Sequence, residues 1–152
     1  MPTIRPSTEA DLPAITAIYA HHVLHGTGTF ETTPPTEADM RQRRADVLGK
    51  GLPYTVIEDG GQVLGFAYAN WFKPRPAYRF SVEDSIYLAP GQEGRGLGSA
   101  LMDALLNQLE AAGIRKVMAV IGDSANAASI GVHRRAGFSP AGVVQSLSLI
   151  HI

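Results

Sequence analysis

Near the start of the chain, apolar residues recur every three or four positions, which is the spacing of an amphipathic helix. This helix is predicted to begin at Ser7 or Thr8, either of which can cap it, and to end near His22. Its apolar face consists of Leu12, Ile15, Ile18 and Tyr19. A second helix is predicted from Thr36, where TEAD supplies a cap and first-turn acids, to about Gly49.

Strand patterns dominate the middle of the chain. Residues 54–58 and 62–71 flank the sequence DGG, which is a strong signal for a tight hairpin turn. A short strand is predicted at 4–5, and a further one over about 79–88. The middle of the chain is therefore expected to form neighbouring strands of one sheet.

Helix and strand patterns alternate in the second half. A helix is predicted to follow a glycine-rich loop and to stop at Gly113, and an apolar strand is predicted at 116–121. Another helix over about 126–136 ends at Gly137, and the remaining residues leave room for one more strand. This order predicts a mixed α/β (α+β) fold around one sheet.

Length and charge narrow the class of protein. A chain of 152 residues is expected to form a single domain, 1–152, with a substantial core. A net charge of −1 argues against nucleic acid or an anionic membrane as the main partner. The sequence has no cysteine, no apolar signal region, and no apolar run near the roughly 18 residues that span a bilayer. A soluble, cytoplasmic protein is the expectation.

The loop GQEGRGLG over residues 91–98 is the most informative segment. Glycines at alternate positions allow sharp turns and expose consecutive backbone N–H groups at the start of the next helix, which favours an anion such as a diphosphate. A P-loop would need lysine after Gly98, where Ser99 stands. The glycine spacing and the position after a hairpin fit a dinucleotide fold poorly. The diphosphate of coenzyme A is left as the third possibility.

Four ordered segments resemble the GNAT superfamily of N-acetyltransferases. GRGLG at 94–98 resembles its acyl-CoA loop, and 126–138 is similar to its second CoA-contacting segment. Residues 71–87 and TFET at 29–32 resemble the branch that acetylates phosphinothricin, methionine sulfoximine or methionine sulfone. The resemblance implies the GNAT fold, a mostly antiparallel sheet flanked by helices, with acetyl-CoA as co-substrate and a homodimeric assembly.

Two departures from the family pattern stand out. The loop's opening Gln or Arg is replaced by Glu93, an acid that is expected to weaken binding of a diphosphate. The family usually continues some twenty residues further with closing strands, so the C-terminal strands are expected to be truncated, and residues 146–152 are hypothesised to be foreign. Such a loss would leave an exposed sheet edge.

Two residues are predicted to carry the chemistry. Glu83, an acid inside a strand pattern, is predicted to be the base that accepts the proton of the attacking amine. The alternative is a solvated acid on an edge strand.

His133 stands where the family commonly has the tyrosine that serves the leaving thiol, which implies a general acid or a CoA-orienting role. The alternative is a satisfied structural histidine. Without cysteine, direct attack in a ternary complex is expected.

The resemblance also implies the residues that bind the donor. Backbone N–H groups along the loop would hold the diphosphate, and the strand before it would pair with the pantetheine arm and polarise the acetyl carbonyl. These positions are Ile86, Tyr87, Leu88, Gly94, Arg95, Gly96, Leu97, Gly98 and Ser99. Asn126 and Ser129 would bond the pantetheine arm, or else simply cap a helix.

The acceptor site is assigned by the same resemblance. Arg75 or Arg79 can clamp a carboxylate, although a solvated basic loop is the alternative for this segment. Phe30 and Tyr78 can wall a short side chain, or belong to the core, and Asp84 is a pocket wall or a partner of a catalytic group. The full predicted set is Phe30, Lys73, Pro74, Arg75, Tyr78, Glu83, Asp84 and Ser85.

Other functions stay open at this level. His21 and His25 form an i,i+4 pair, but His22 stands where a zinc-protease motif has glutamate, so no metal is predicted. The predicted activity is acetyl transfer from acetyl-CoA to the α-amine of a small amino acid or analogue. The alternatives are a GNAT enzyme that acts on another amine and a disabled acyl-CoA-binding module.

Overall fold

The computed structural model describes residues 2–25, 31–71, 80–119 and 127–139, and for residues 127–129 it describes the backbone alone. Five strands and four α-helices lie within these ranges. The strands are β1 (Thr3–Pro6), β2 (Tyr54–Asp59), β3 (Gln62–Trp71), β4 (Ser81–Leu88) and β5 (Lys116–Met118). The helices are α1 (Leu12–His25), α2 (Glu37–Gly49), α3 (Leu97–Ala111) and α4 (Ala127–Arg135).

The predicted helix starts are confirmed, with one refinement. A turn of 3-10 helix over Glu9–Asp11 precedes α1, and the Thr8 N–H donates to the Asp11 carboxylate at 2.7 Å. At α2, Thr36 and Asp39 bond reciprocally, N–H to side chain, at 3.0 and 3.1 Å. Each cap satisfies a backbone donor that the helix itself leaves free.

The strands form one sheet in the order β1-β2-β3-β4-β5. The first three pairings are antiparallel and the fourth, between β4 and β5, is parallel. Gly60 and Gly61 join β2 to β3 with φ of 61° and 83°, the positive values that a two-residue type I′ turn requires. The predicted mixed, mostly antiparallel sheet flanked by helices is confirmed.

Strand limits differ from the prediction in the second half of the chain. In the described residues, the strand predicted at 79–88 begins at Ser81, and the one predicted at 116–121 is observed over Lys116–Met118, with residues 120–121 outside the described ranges. The pairing of β5 with β4 joins residues 116–118 to residues 81–83. The additional strand expected after Gly137 falls on residues that lie outside the described ranges.

The helices divide between the two faces of the sheet. On one face, Tyr19 of α1 contacts Tyr87 of β4 edge-to-face at 5.1 Å between ring centres. On the other face, Leu101 of α3 lies under Gly65 of β3, and the side chains of Leu101 and Leu105 are fully buried. Truncating such a leucine to alanine costs about 2–5 kcal/mol, so the α3 contact is a main source of stability.

Candidate active site

Strand β4 connects the predicted chemical groups. The Ala89 N–H donates to the Leu64 carbonyl at 2.8 Å, so the backbone groups of Ala89 face β3 in the antiparallel ladder. Backbone groups in such a ladder alternate in direction along the strand. Those of Ile86 and Leu88 therefore point away from β3, toward the side where β5 lies.

The edge of β4 opens beyond Glu83. β5 pairs with residues 81–83 and then ends, so no described strand covers the far edge of residues 84–88. A strand edge of this kind presents unpaired N–H and C=O groups that can accept an extended, amide-bearing chain. Of the three residues predicted to hold the donor through their backbone, Ile86 and Leu88 present N–H and C=O groups on this side, whereas those of Tyr87 face β3.

The glycine loop follows this edge directly. Gly91, Gly94 and Gly96 have φ between 76° and 82°, and a Cβ built on any of them would meet no atom of the described residues within 4 Å. The first helical bond of α3 joins the Ala100 N–H to the Gly96 carbonyl at 3.1 Å. The N–H groups of residues 97–99 lie in the first turn of α3, have no acceptor within the helix and point out of its N-terminus.

Predicted loop side chains are found mainly at the surface. Arg95 is exposed, and its guanidinium donates to the Gln92 side chain. Glu93 is also exposed, whereas Leu97 and Gly98 are buried at the start of α3. Ser99 is half-buried and accepts a hydrogen bond from Arg135 of α4 at 3.3 Å. The loop's anion-binding potential therefore rests on its backbone.

Glu83 is half-buried in the interior of the sheet, between β3 and β5. No hydrogen bond or ion pair joins its carboxylate to another described residue. Burial raises the pKa of Glu83 above the ordinary glutamate value, and the charge of Asp84 raises it further. The alternative of a solvated acid on an edge strand is wrong, and a raised pKa suits a proton acceptor.

Asp84 and His133 form a buried pair on the opposite face of the sheet. The His133 Nε2 lies 3.0 Å from both carboxylate oxygens of Asp84, and the two residues are 5% and 7% exposed. A carboxylate only accepts, so Nε2 carries the proton. Phe138 packs edge-to-face on the imidazole at 4.9 Å. This placement fits the structural interpretation of His133 and separates Asp84 from the face of Glu83.

Polar groups gather on the face of Glu83. Asn70 lies directly opposite Glu83 in the ladder, and Tyr68 lies opposite Ser85, so these four side chains share a face. The Ser85 side chain hydrogen-bonds Tyr68, and burial raises the pKa of that phenol. A cavity of about 440 Å³ opens beside them. It is lined by Asp39, Gln42, Arg43, Asp46, Val47, Tyr68 and Asn70.

Sequence reasoning missed the residues of this cavity. Tyr68 and Asn70 occupy an ordinary strand pattern, and Arg43 lies within the predicted second helix without a motif around it. In the structure Arg43 makes two bonds to Glu31, at 2.7 and 2.9 Å, and Glu31 also accepts from the Tyr19 hydroxyl. Because the cavity is lined by residues of two separate elements, α2 and β3, no local sequence motif marks it.

Several predicted site residues cannot be placed in this geometry. Phe30, Lys73, Pro74, Arg75, Tyr78 and Asn126 lie outside the described residues, as does the side chain of Ser129. Within the described ranges, no group of three or more His, Asp or Glu residues is arranged to hold a metal ion. The helices of those ranges are each too short or too polar to cross a membrane.

One strand thus leads from a candidate base to an open backbone edge and then to an anion-binding loop. An enzyme that transfers an acyl group from a nucleotide-bearing donor to an amine needs these features in this spatial order. The model of the acetyltransferase (GNAT) family matches residues 16–138, and the chain belongs to that family. The predicted family and enzyme class are confirmed.

Named relatives and solved structures agree with this assignment. The chain is 50% identical over 145 residues to a phosphinothricin N-acetyltransferase of Alcaligenes faecalis, covering 95% of this chain and 74% of that one. It is 42% identical over 145 residues to an L-methionine sulfoximine/L-methionine sulfone acetyltransferase of Pseudomonas aeruginosa strain PAO1, covering 92% and 81%. A crystal structure of a Sinorhizobium meliloti phosphinothricin acetyltransferase in complex with AcCoA superposes with a TM-score of 0.93 at 46% identity, covering 97% and 80%.

Proposed function

We propose that this enzyme transfers the acetyl group of acetyl-CoA to the α-amine of a small amino acid or analogue of the methionine sulfone, methionine sulfoximine or phosphinothricin type. The observation that carries the proposal is the course of β4, which runs from half-buried Glu83 along an open edge into the glycine loop. The relatives named for these substrates, at 42% and 50% identity, support the acceptor class.

The donor is assigned to the α3 side of the open edge. The loop N–H groups from Gly94 to Ser99 suit its diphosphate, and the outward-facing backbone of Ile86 suits its pantetheine amides. Acetyl-CoA supplies the activated acyl group. Because no side chain of the described residues lies within 4 Å of a Cβ built on Gly91, Gly94 or Gly96, a diphosphate can approach their backbone closely.

Glu83 is assigned the proton transfer that makes the acceptor a nucleophile. An amino acid's ammonium group has no lone pair, so it must lose a proton before nitrogen attacks the acetyl carbon. The carboxylate of Glu83, directly or through one water, accepts that proton. Burial raises its pKa, which makes it a stronger base than an exposed glutamate while leaving it ionised above that pKa.

The remaining charges of the reaction need two further groups. The Leu88 N–H, which points toward the open edge, is the proposed donor to the carbonyl oxygen as negative charge develops there. The carbon–sulfur bond then breaks while the nitrogen loses its second proton to water, giving the amide and a thiolate that takes up a proton. The imidazolium form of His133, whose positive charge Asp84 stabilises, is the proposed source of that proton.

Acceptor recognition, assembly and location complete the proposal. Lys73 and Arg75 are proposed to bind the acceptor carboxylate, and Phe30 and Tyr78 to enclose its side chain, on the resemblance described above.

Homodimeric assembly and a cytoplasmic location are proposed on the same resemblance. Light scattering of the purified protein tests the first, with a mass of about twice 16.2 kDa expected, and cell fractionation tests the second.

The test is thiol release from acetyl-CoA with a panel of acceptors. Methionine sulfone, methionine sulfoximine and phosphinothricin are compared with the decarboxylated amine of each, with a polyamine and with a short peptide. Turnover that requires the carboxylate, and that falls in Arg75→Ala, is expected. Turnover of the polyamine or peptide alone would establish the alternative of another amine, and acetyl-CoA binding without any turnover would establish the binding module.

A further inference from the structure

His22 reaches from α1 to the end of the strand that carries the open edge. Its Nε2 lies 2.8 Å from the backbone carbonyl oxygen of Leu88, and its ring lies on Tyr87, with ring centres 5.3 Å apart. A carbonyl oxygen has no proton to give, so Nε2 donates and the imidazole is held with its proton on that nitrogen. The helix therefore contacts both a side chain and the main chain of the predicted donor segment.

The peptide group between Leu88 and Ala89 is consequently held from two sides. Its N–H, on Ala89, donates to the Leu64 carbonyl at 2.8 Å, and its carbonyl oxygen accepts from His22. Without the second bond this carbonyl would face the far edge of β4, which no described strand covers. Bonds at both ends oppose rotation of the peptide plane at the point where β4 ends.

This peptide is the junction between the open edge and the glycine loop. The loop that follows has positive φ at Gly91, Gly94 and Gly96, and no Cβ contact restrains these positions. Glycines lose much conformational freedom when they are ordered, so binding to a poorly anchored loop is weakened by that entropy. Because the peptide between Leu88 and Ala89 is already held in place, fewer residues of the loop must be ordered when the donor binds.

We propose that His22 is a positioning residue for the donor: by fixing the peptide between Leu88 and Ala89, it presets the open edge and the start of the glycine loop for acetyl-CoA. The inference rests on the proposed function, because it takes this edge and loop as the acetyl-CoA site. His22 acts through the main chain of β4 and not on the reacting atoms.

The first experiment compares His22→Phe with His21→Phe as a matched control. Phenylalanine keeps a ring on Tyr87 and removes the donor, whereas His21 is the half-buried neighbour whose ring contacts are with His22 and His25. We expect the KM for acetyl-CoA to rise about 3- to 10-fold in His22→Phe, the factor expected for one net hydrogen bond. The KM for the acceptor and the kcat at saturating acetyl-CoA should stay within about twofold, because a positioning bond acts on donor binding. An unchanged KM for acetyl-CoA, or an equal rise in His21→Phe, would overturn the inference.

A second pair of variants separates positioning from packing, and decides the matter if His22→Phe does not fold. In His22→Gln an amide nitrogen can occupy the place of Nε2, whereas in His22→Asn the side chain is one carbon shorter and falls short of Leu88. We expect His22→Gln to keep a KM for acetyl-CoA near that of the wild type and His22→Asn to show the rise. Equal values in the two variants would contradict the proposal.

Calorimetric titration with acetyl-CoA distinguishes failure of the proposed function from failure of the role assigned to His22. Absence of binding would overturn the proposed function, and this inference with it. Wild-type binding together with unaltered binding in His22→Phe would overturn only the role of His22.

Discussion

Glu83 and Asp84 are adjacent carboxylates on one strand, and their surroundings differ in every respect that matters for chemistry. Glu83 lies half-buried on the face of α1 and α2, without a bonded partner among the described residues, and its pKa is raised. Asp84 lies buried on the face of α3 and α4, with both oxygens bonded to His133. Successive side chains of a strand point to opposite faces, so one position separates the two environments.

The difference shows how one strand serves two purposes. A carboxylate kept without a partner costs folding free energy but retains the capacity to accept a proton. A carboxylate that is bonded to an imidazole is a weaker proton acceptor, and here its bond to His133 connects α4 to the sheet. We therefore expect the larger effect on catalysis from substitutions at Glu83 and the larger effect on stability from substitutions at Asp84.

The largest expected effect is on catalysis at Glu83. In Glu83→Gln the kcat should fall about 100- to 10,000-fold, because the amide cannot accept a proton. The free energy of unfolding at neutral pH should be no lower than in the wild type, since the raised pKa means that ionised Glu83 opposes folding. Initial-rate kinetics and urea denaturation measure the two quantities. Glu58→Gln, a change on β2 of the same sheet, is the control that should retain activity.

The next effect is on stability at Asp84. Asp84→Ala should lower the free energy of unfolding by about 3 kcal/mol, because it leaves His133 buried without its acceptor. Asp84→Asn keeps an oxygen that can accept from Nε2, so a smaller loss is expected. Urea denaturation measures both. If the alanine variant were as stable as the wild type, the pair would not be tying α4 to β4.

A third change tests whether the α3 face and the open edge are coupled. A Cβ at Gly65 would lie 2.9 Å from the Tyr87 carbonyl oxygen and 2.7 Å from the Leu88 side chain, so Gly65→Ala must displace β4. We expect a loss of about 1–3 kcal/mol in the free energy of unfolding, as for other overpacked sites, together with a raised KM for acetyl-CoA. Gly98→Ala, which meets only the side chain of Val132 at 3.2 Å and that of Leu88 at 3.8 Å, should cost less. Equal stability of Gly65→Ala and the wild type would contradict the close approach.

The smallest effect is expected at exposed Glu93 in the glycine loop. Glu93→Gln should lower the KM for acetyl-CoA about two- to threefold at low salt, because it removes a negative charge near the proposed diphosphate site. The gain should shrink as ionic strength rises. Glu110→Gln, an exposed change at the far end of α3, is the control. A gain that is independent of salt would point to a cause other than charge.

The sequence was sufficient for the elements whose signals are local. The Thr36 cap, the DGG hairpin and the glycine loop all depend on neighbouring residues, and each appears in the structure as predicted. The partners of β5 were not predictable, because its parallel pairing joins residues 116–118 to residues 81–83, far apart in the chain. The pairing of Asp84 with His133, and the contact of His22 with Leu88, join residues far apart in the chain that no spacing rule connects.

The most direct test of the account is the pH dependence of single-turnover acetyl transfer in the wild type and in Glu83→Gln. The acceptor is held in excess, and the titration of its own amine affects the rate in both proteins equally. As the pH falls, the rate of the wild type should therefore show one protonation step more than the rate of the variant. Because the pKa of Glu83 is raised, this step should lie above the ordinary pKa of glutamate. The account predicts that the step is absent in Glu83→Gln. The same step, retained in the variant, would show that another group is the base.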